Sequence, residues 1–222
     1  MKKILFLALI CLGLQSYAVR AEDSLQIVRY VNAMARYAVS EMHRSGVPAS
    51  VSLAQGILET AAGTSPLYSR SNNNFGIKCK ANWSGPYTLH DDDAQGECFR
   101  VYDNDSMSYV DHSNFLRTAP RYNFLFQLDK TDYRGWAIGL KKAGYATASD
   151  YPKKLLNVIN DFELSQFNFP ELAFYDDDDT PTQKVDTSVK IAPIVIADSI
   201  KTNSVRSNLI KIDTVKKIED TL

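Results

Sequence analysis

The chain has 222 residues, 45% of them hydrophobic and 23% charged, which suits one globular domain with further segments attached. Its net charge is −1, and without residues 1–21 the balance is 22 basic against 26 acidic side chains, a net of −4. A mildly acidic protein is a poor electrostatic partner for nucleic acid or for other polyanions, so recognition is expected to come from a shaped cleft.

Lys2 and Lys3 precede an apolar run from Ile4 to Leu14 and then small residues, the pattern of a secretory signal peptide cut after Ala18 or Ala21. The run is too short to span a bilayer, and no other stretch reads as a membrane span. Ile10 stands before Cys11 where lipidation needs a small residue, which argues against a lipoprotein. From Asp23 to Arg44 the spacing of Ile27, Tyr30, Val31, Met34, Tyr37, Ala38 and Met42 predicts a scaffold helix, ended by Gly46 and Pro48.

A second helix is expected from Ser50, as N-cap, to a stop at Gly63. Val51, Ala54, Ile57, Leu58, Ala61 and Ala62 make a broad apolar face, with Gln55 and Glu59 one turn apart at its margin. Glu59 is the only charged side chain between Arg44 and Arg70. A lone helical Glu is often a solvent-facing residue. On an apolar helix, however, desolvation disfavours its anion, and a carboxyl kept protonated near neutral pH is what a general acid requires. Asn72, Asn73, Asn74, Phe75 and Gly76 then form a polar turn rich in the amide groups that hold sugars.

Short extended pieces and turns from Phe75 to Asp103 read as a small β-lobe facing this helix across a groove. Trp83, Tyr87 and Tyr102 are equally readable as sugar-stacking rings and as the lobe's own core. Without Cys11, Cys79 and Cys98 form an even pair 19 positions apart, which in an exported protein suggests a disulfide. The competing reading is a cysteine nucleophile served by His90 or His112. Asp91, Asp93, Gln95 and Gly96 imitate a calcium loop, but the twelfth position is Tyr102, where a bidentate Glu is needed; a solvated acidic turn is expected instead, and no metal.

Helices are predicted over Ser106–Arg117, Tyr133–Ala143 and from Ser149 or Asp150 to Phe162, separated by the aromatic segment Phe124–Leu128. His112 beside Asp111 reads as a structural histidine. The class is therefore α+β, mostly helical with one small sheet. The domain division is residues 1–21 as signal peptide, 22–170 as the folded unit, and 171–222 as an acidic linker and tail. That tail carries the run Asp176–Asp179 and an apolar stripe from Val205 to Leu222.

The blocks SLAQGILETAAGTSPL, NNNFGIK, FRVYD, DHSNFL, PRY and GLKKAGYAT occur in the order seen in glycoside hydrolase family 73. The chain thus resembles those peptidoglycan glucosaminidase domains over roughly residues 27–167. The resemblance implies a lysozyme-like fold with a substrate groove and cleavage of the β-1,4 bond after N-acetylglucosamine in peptidoglycan strands without a cofactor; the signal-peptide pattern adds the expectation of export to the periplasm or beyond. It implies Glu59 as general acid and a second acidic residue from the β-lobe, for which Glu97 is the candidate and Asp92 or Asp93 the fallback. Gln55, Asn74, Phe75, Tyr122 and Tyr145 are the expected substrate-binding residues, Tyr145 by bonding the N-acetyl group or by orienting the acid. A wall-binding protein that keeps the groove without catalysis, and a muramidase or lytic transglycosylase on the same fold, are the alternatives.

Overall fold

The computed structural model describes residues 2–80 and 83–169, with side chains from residue 22 onward. Helix α1 (Lys2–Ser45) leads into α2 (Ala49–Thr60) and the short α3 (Pro66–Ser71); a hairpin of β1 (Tyr87–His90) and β2 (Glu97–Arg100) follows. Then come α4 (Asp105–Thr118), a 3₁₀ segment (Pro120–Gln127), α5 (Tyr133–Lys142), α6 (Tyr151–Asp161) and a last 3₁₀ turn (Leu164–Asn168). The expected α+β class is what is observed. The expectations for the C-terminal linker and tail lie outside the described residues.

α1 starts at Lys2 rather than at residue 23 and runs unbroken through the expected cleavage region. Residues 2–45 contain no proline and one glycine, Gly13, so nothing local interrupts the helix. Among the described residues, no helix is long and apolar enough to cross a membrane. The predicted stripe Ile27, Tyr30, Val31, Met34, Ala38 and Met42 is buried, with Tyr37 at its edge, and packs against α2.

α2 is more central than an amphipathic reading suggests. Ser50 is not its N-cap: Pro48 holds that position, and its carbonyl accepts from the Val51 and Ser52 amides at 3.1 Å. The Ser50 amide donates instead to Asn168 Oδ1 at 3.0 Å, and Asn168 Nδ2 returns a bond to Ser50 Oγ at 2.9 Å. The last 3₁₀ turn thus satisfies an orphan donor at the start of the helix, a long-range cap that spacing along the chain does not reveal. The helix also ends three residues before Gly63, at Thr60.

The hairpin is antiparallel, with Tyr87 opposite Arg100 and His90 opposite Glu97. Residues 77–79 run alongside β2 as a third, irregular strand. The Arg100 amide donates to the Ile77 carbonyl at 3.0 Å, and the Cys79 amide to the Cys98 carbonyl at 2.8 Å. Cys79 and Cys98 are joined as a disulfide, their Cα atoms 5.3 Å apart, which removes the cysteine-nucleophile reading. The FRVYD block is strand only as far as Arg100; the Val101 and Tyr102 amides leave the ladder to bond the Pro86 and Ser71 carbonyls. Of the lobe's aromatic rings, Tyr102 is core, Tyr87 is 64% exposed, and Trp83 lies under the Arg100 guanidinium.

Candidate active site

Eleven of the twelve residues of α2 are buried, and Glu59 is the exception. Its half-buried carboxyl lies against the backbone of Gly76: a Cβ there, where φ is +55°, would stand 3.7 Å from Oε2. The chain then wraps tightly. Ala61, Ala62 and Gly63 are successive left-handed residues with φ of +48°, +54° and +82°. The Ala62 amide donates to the Ile57 carbonyl at 2.9 Å and the Gly63 amide to Thr60 Oγ1 at 2.8 Å. Two non-glycine residues in this region are strained, and the strain lies directly after the candidate acid.

Tyrosines from the C-terminal half surround that carboxyl. Tyr145 follows α5, and its ring centroid is 5.8 Å from that of Tyr151 at the start of α6 and 6.4 Å from that of Tyr122. Burial, and after it the charge of Glu59, push both the Tyr145 and Tyr151 phenols well above the usual range. Both therefore stay protonated and available as donors at any pH the protein meets. Tyr151 carries no sequence signal beyond being an aromatic residue at a helix start, and sequence reasoning missed it.

The five residues expected to touch substrate are all buried. Gln55 is 1% exposed and donates its amide nitrogen to the Tyr151 hydroxyl at 2.9 Å. Asn74 Oδ1 accepts from the Tyr30 hydroxyl at 2.7 Å, while its Nδ2 donates to Asp105 Oδ1 at 2.8 Å and its backbone amide to Ser108 Oγ at 3.0 Å. Phe75 stacks on His112 at 3.8 Å between ring centroids and meets Tyr109 edge-on at 4.9 Å. In the fold, the Gln55 amide nitrogen, the polar groups of Asn74 and the Phe75 ring already have partners inside the protein. They belong to a buried support around α2. Tyr122 and Tyr145 are likewise buried, in the layer of rings beside Tyr151. Gly56 belongs to the same support, since a Cβ there would collide with the Tyr30 hydroxyl.

Glu97 opens β2 and is bound at both oxygens. Lys78 Nζ donates to Oε1 at 2.8 Å and the Ala94 amide to Oε2 at 3.2 Å. Burial raises its pKa, but the Lys78 bond and the backbone donors outweigh that and hold the carboxyl below its ordinary value. Asp92 and Asp93 each lie 3.4 Å from the same ammonium. The three acidic groups are close enough together to resemble a cation site, and Lys78 meets their charge.

A half-buried carboxyl on an otherwise buried helix, phenols near it and an acidic hairpin suit a glycosidase domain of lysozyme-like build. Residues 35–164 match the family model described as mannosyl-glycoprotein endo-beta-N-acetylglucosaminidase. The chain belongs to that glucosaminidase family, glycoside hydrolase family 73. It is similar to the peptidoglycan hydrolase FlgJ of Vibrio parahaemolyticus, at 34% identity over 145 residues, 60% of this chain and 47% of that protein. The exo-glucosaminidase LytG of Bacillus subtilis is 25% identical over 180 residues, 76% of this chain and 60% of that one. Among solved structures, a peptidoglycan hydrolase from Sphingomonas sp. A1 aligns with a TM-score of 0.57 at 30% identity, covering 67% of this chain and 97% of that one. The glycoside hydrolase domain of Salmonella typhimurium FlgJ aligns with 0.54 at 28%, covering 64% and 92%. The chain spans about half the length of curated FlgJ, so these likenesses concern the hydrolase domain.

Proposed function

We propose that this protein is a peptidoglycan hydrolase that cuts the β-1,4 bond after N-acetylglucosamine, with Glu59 as general acid. The observation that carries the reading is the placement of Glu59: the one residue of α2 that is not buried, set between the Gly76 backbone and the Tyr145 and Tyr151 phenols. Protonation of the leaving oxygen by Glu59 would generate an oxocarbenium-like centre. Glu97 takes the second role. Its pairing with Lys78 keeps it anionic but makes it a weak base, which suits stabilising positive charge better than abstracting a proton from water. The substrate's own N-acetyl group can then supply the nucleophile.

The same reading places the catalytic unit in residues 22–170 and the protein outside the cytoplasm, after removal of a signal peptide. The disulfide supports such a location, because bonds of this kind persist in oxidising compartments. Digestion of purified peptidoglycan, followed by reduction and mass spectrometry, tests the function. Reduced N-acetylglucosamine ends are expected. Reduced muramic or anhydro ends would make the protein a muramidase or transglycosylase, and no new ends would leave a wall-binding protein.

A further inference from the structure

Gln55 stands one helical turn before Glu59, so the two side chains are neighbours on the same side of α2. Its amide nitrogen is committed to the Tyr151 hydroxyl at 2.9 Å. Its Oε1 is buried and, among the described residues, receives no hydrogen bond from any donor. Such an orphaned buried carbonyl is unusual and needs an explanation. The amide group is planar, so anchoring the nitrogen on Tyr151 also settles which way the oxygen is presented: away from the phenol. The Glu59 carboxyl, one turn along the same side of the helix, changes hydrogen-bonding character with its own state. Protonated, it is a donor; ionised, it only accepts.

We propose that Gln55, its amide oriented by Tyr151, is a positioning residue whose Oε1 accepts a hydrogen bond from the carboxyl O–H of Glu59 and so retains Glu59 in its acid form. The inference rests on the reading of Glu59 as general acid. Turned the other way, the same amide would offer N–H groups to the carboxylate and favour the anion. Tyr151 therefore acts as the latch that selects one of two orientations with opposite consequences. Also near Glu59 stands the Tyr145 phenol, with Tyr122 and His112 one ring farther out. Tyr30 of α1 and Tyr109 of α4 approach α2 at Gly56, and the backbone of Gly76 closes the other side. Direct donation from Tyr151 to Glu59 is the rival arrangement. It would stabilise the anion, so the two assignments differ in sign.

The test is a titration of Glu59 in the full chain carrying ¹³C-labelled glutamate, with its carboxyl resonance identified by its loss in Glu59→Gln. Tyr151→Phe should lower the Glu59 pKa by about one unit, a tenfold shift of the protonation equilibrium. In a Gln55→Met background the same Tyr151→Phe change should leave the titration unmoved. Gln55→Asn, which keeps the amide but shortens its reach by a methylene, should lower the pKa on its own and provides an arm independent of Tyr151. The alkaline limb of kcat on soluble glycan fragments should move to lower pH in step. A rise on Tyr151→Phe, an equal shift in both backgrounds, or no change in Gln55→Asn would overturn the proposal. A chain that titrates as expected but cuts no glycan supports the latch and counts instead against the hydrolase reading.

Discussion

Glu59 and Glu97 are held by two scaffolds of opposite kind. Glu59 rises from a helix buried on every other side, wedged between α1, α6 and the last 3₁₀ turn. Glu97 sits on a four-residue strand of a two-stranded sheet, with little core beneath it, and owes its position to Lys78 and the Cys79–Cys98 bond. A two-stranded hairpin is marginal by itself in water, so covalent and ionic ties do in the lobe what packing does around α2. One carboxyl is placed by the packing of its helix; the other is fixed by charge.

The largest expected effect belongs to the helix side. Glu59→Gln keeps shape and removes the transferable proton. Turnover on soluble glycan fragments should fall by at least the ~10²–10⁴-fold typical of a lost acid–base group, with thermal stability held or slightly raised. A well-folded variant that cuts at near-parental rate would take Glu59 out of the mechanism.

The next two changes probe what supports each scaffold. Reducing the disulfide, or Cys79→Ala with Cys98→Ala, should destabilise the fold by about 3 kcal/mol in urea unfolding, the chain-entropy expectation for a loop of this size. Hydrogen exchange should locate the loss in the lobe, leaving the amides of α2 protected. Gly56→Ala should do the reverse. Its Cβ drives the Tyr30 hydroxyl off Asn74, an overpacking expected to destabilise by about 1–3 kcal/mol with effects centred on α2 and the Asn72–Phe75 turn. Equal exchange profiles for the two variants would erase the contrast between lobe and helix.

How far the sequence carried this picture depends on the range of the interactions involved. The apolar period of α1, the α2 segment, the isolation of Glu59 and the Cys79–Cys98 pair were legible because each depends on nearby spacing or on an even count. The cap that Asn168 places on Ser50, 118 positions away, was not, nor was the Gln55–Tyr151 bond across 96 positions. The surroundings of the asparagine run were not legible for a related reason. Exposed, such a run reads as a sugar-binding surface; in the fold, Asn73 bridges the Ile77 and Arg100 carbonyls and Asn74 is locked to Tyr30 and Asp105. Gly56 did leave a trace, since a glycine inside an apolar helix disfavours it by about 1 kcal/mol and so asks for a packing reason.

The lobe's dependence on charge predicts a pH response that α2 should lack. The folded-state pKa of Glu97 is lowered, so its contribution is complete above the ordinary glutamate range and is lost as pH falls through the depressed value. Lys78, raised by Glu97, Asp92 and Asp93 against the opposing effect of burial, contributes fully below the ordinary lysine range and loses that only at strongly alkaline pH. Exchange from the hairpin amides, taken relative to the intrinsic rate at each pH, should therefore be flat through neutrality and accelerate below about pH 4.5, the ordinary Glu97 value. Lys78→Met should accelerate it at neutral pH by leaving three carboxylates facing one another.

The smallest expected effect sits at the junction between the acid and the rest of the chain. Ala61 is exposed, follows the last turn of α2, and has φ of +48°, where a Cβ is unfavourable and glycine is at ease. Ala61→Gly should relieve that strain, partly offset by the greater freedom of glycine in the unfolded chain, for a net gain of at most about 1 kcal/mol in urea unfolding. If the strained wrap merely terminates the helix, activity should be unchanged. If it presses Glu59 toward Gly76, the relaxed variant should be more stable and slower at once, with the fall in kcat rather than in KM. Ala61→Val makes the opposite excursion, since a β-branched residue tolerates a left-handed backbone poorly; it should lose stability. A gain in stability from Ala61→Val, or a loss from Ala61→Gly, would show that the backbone at this junction is not under strain, and that α2 presents its carboxyl through packing alone.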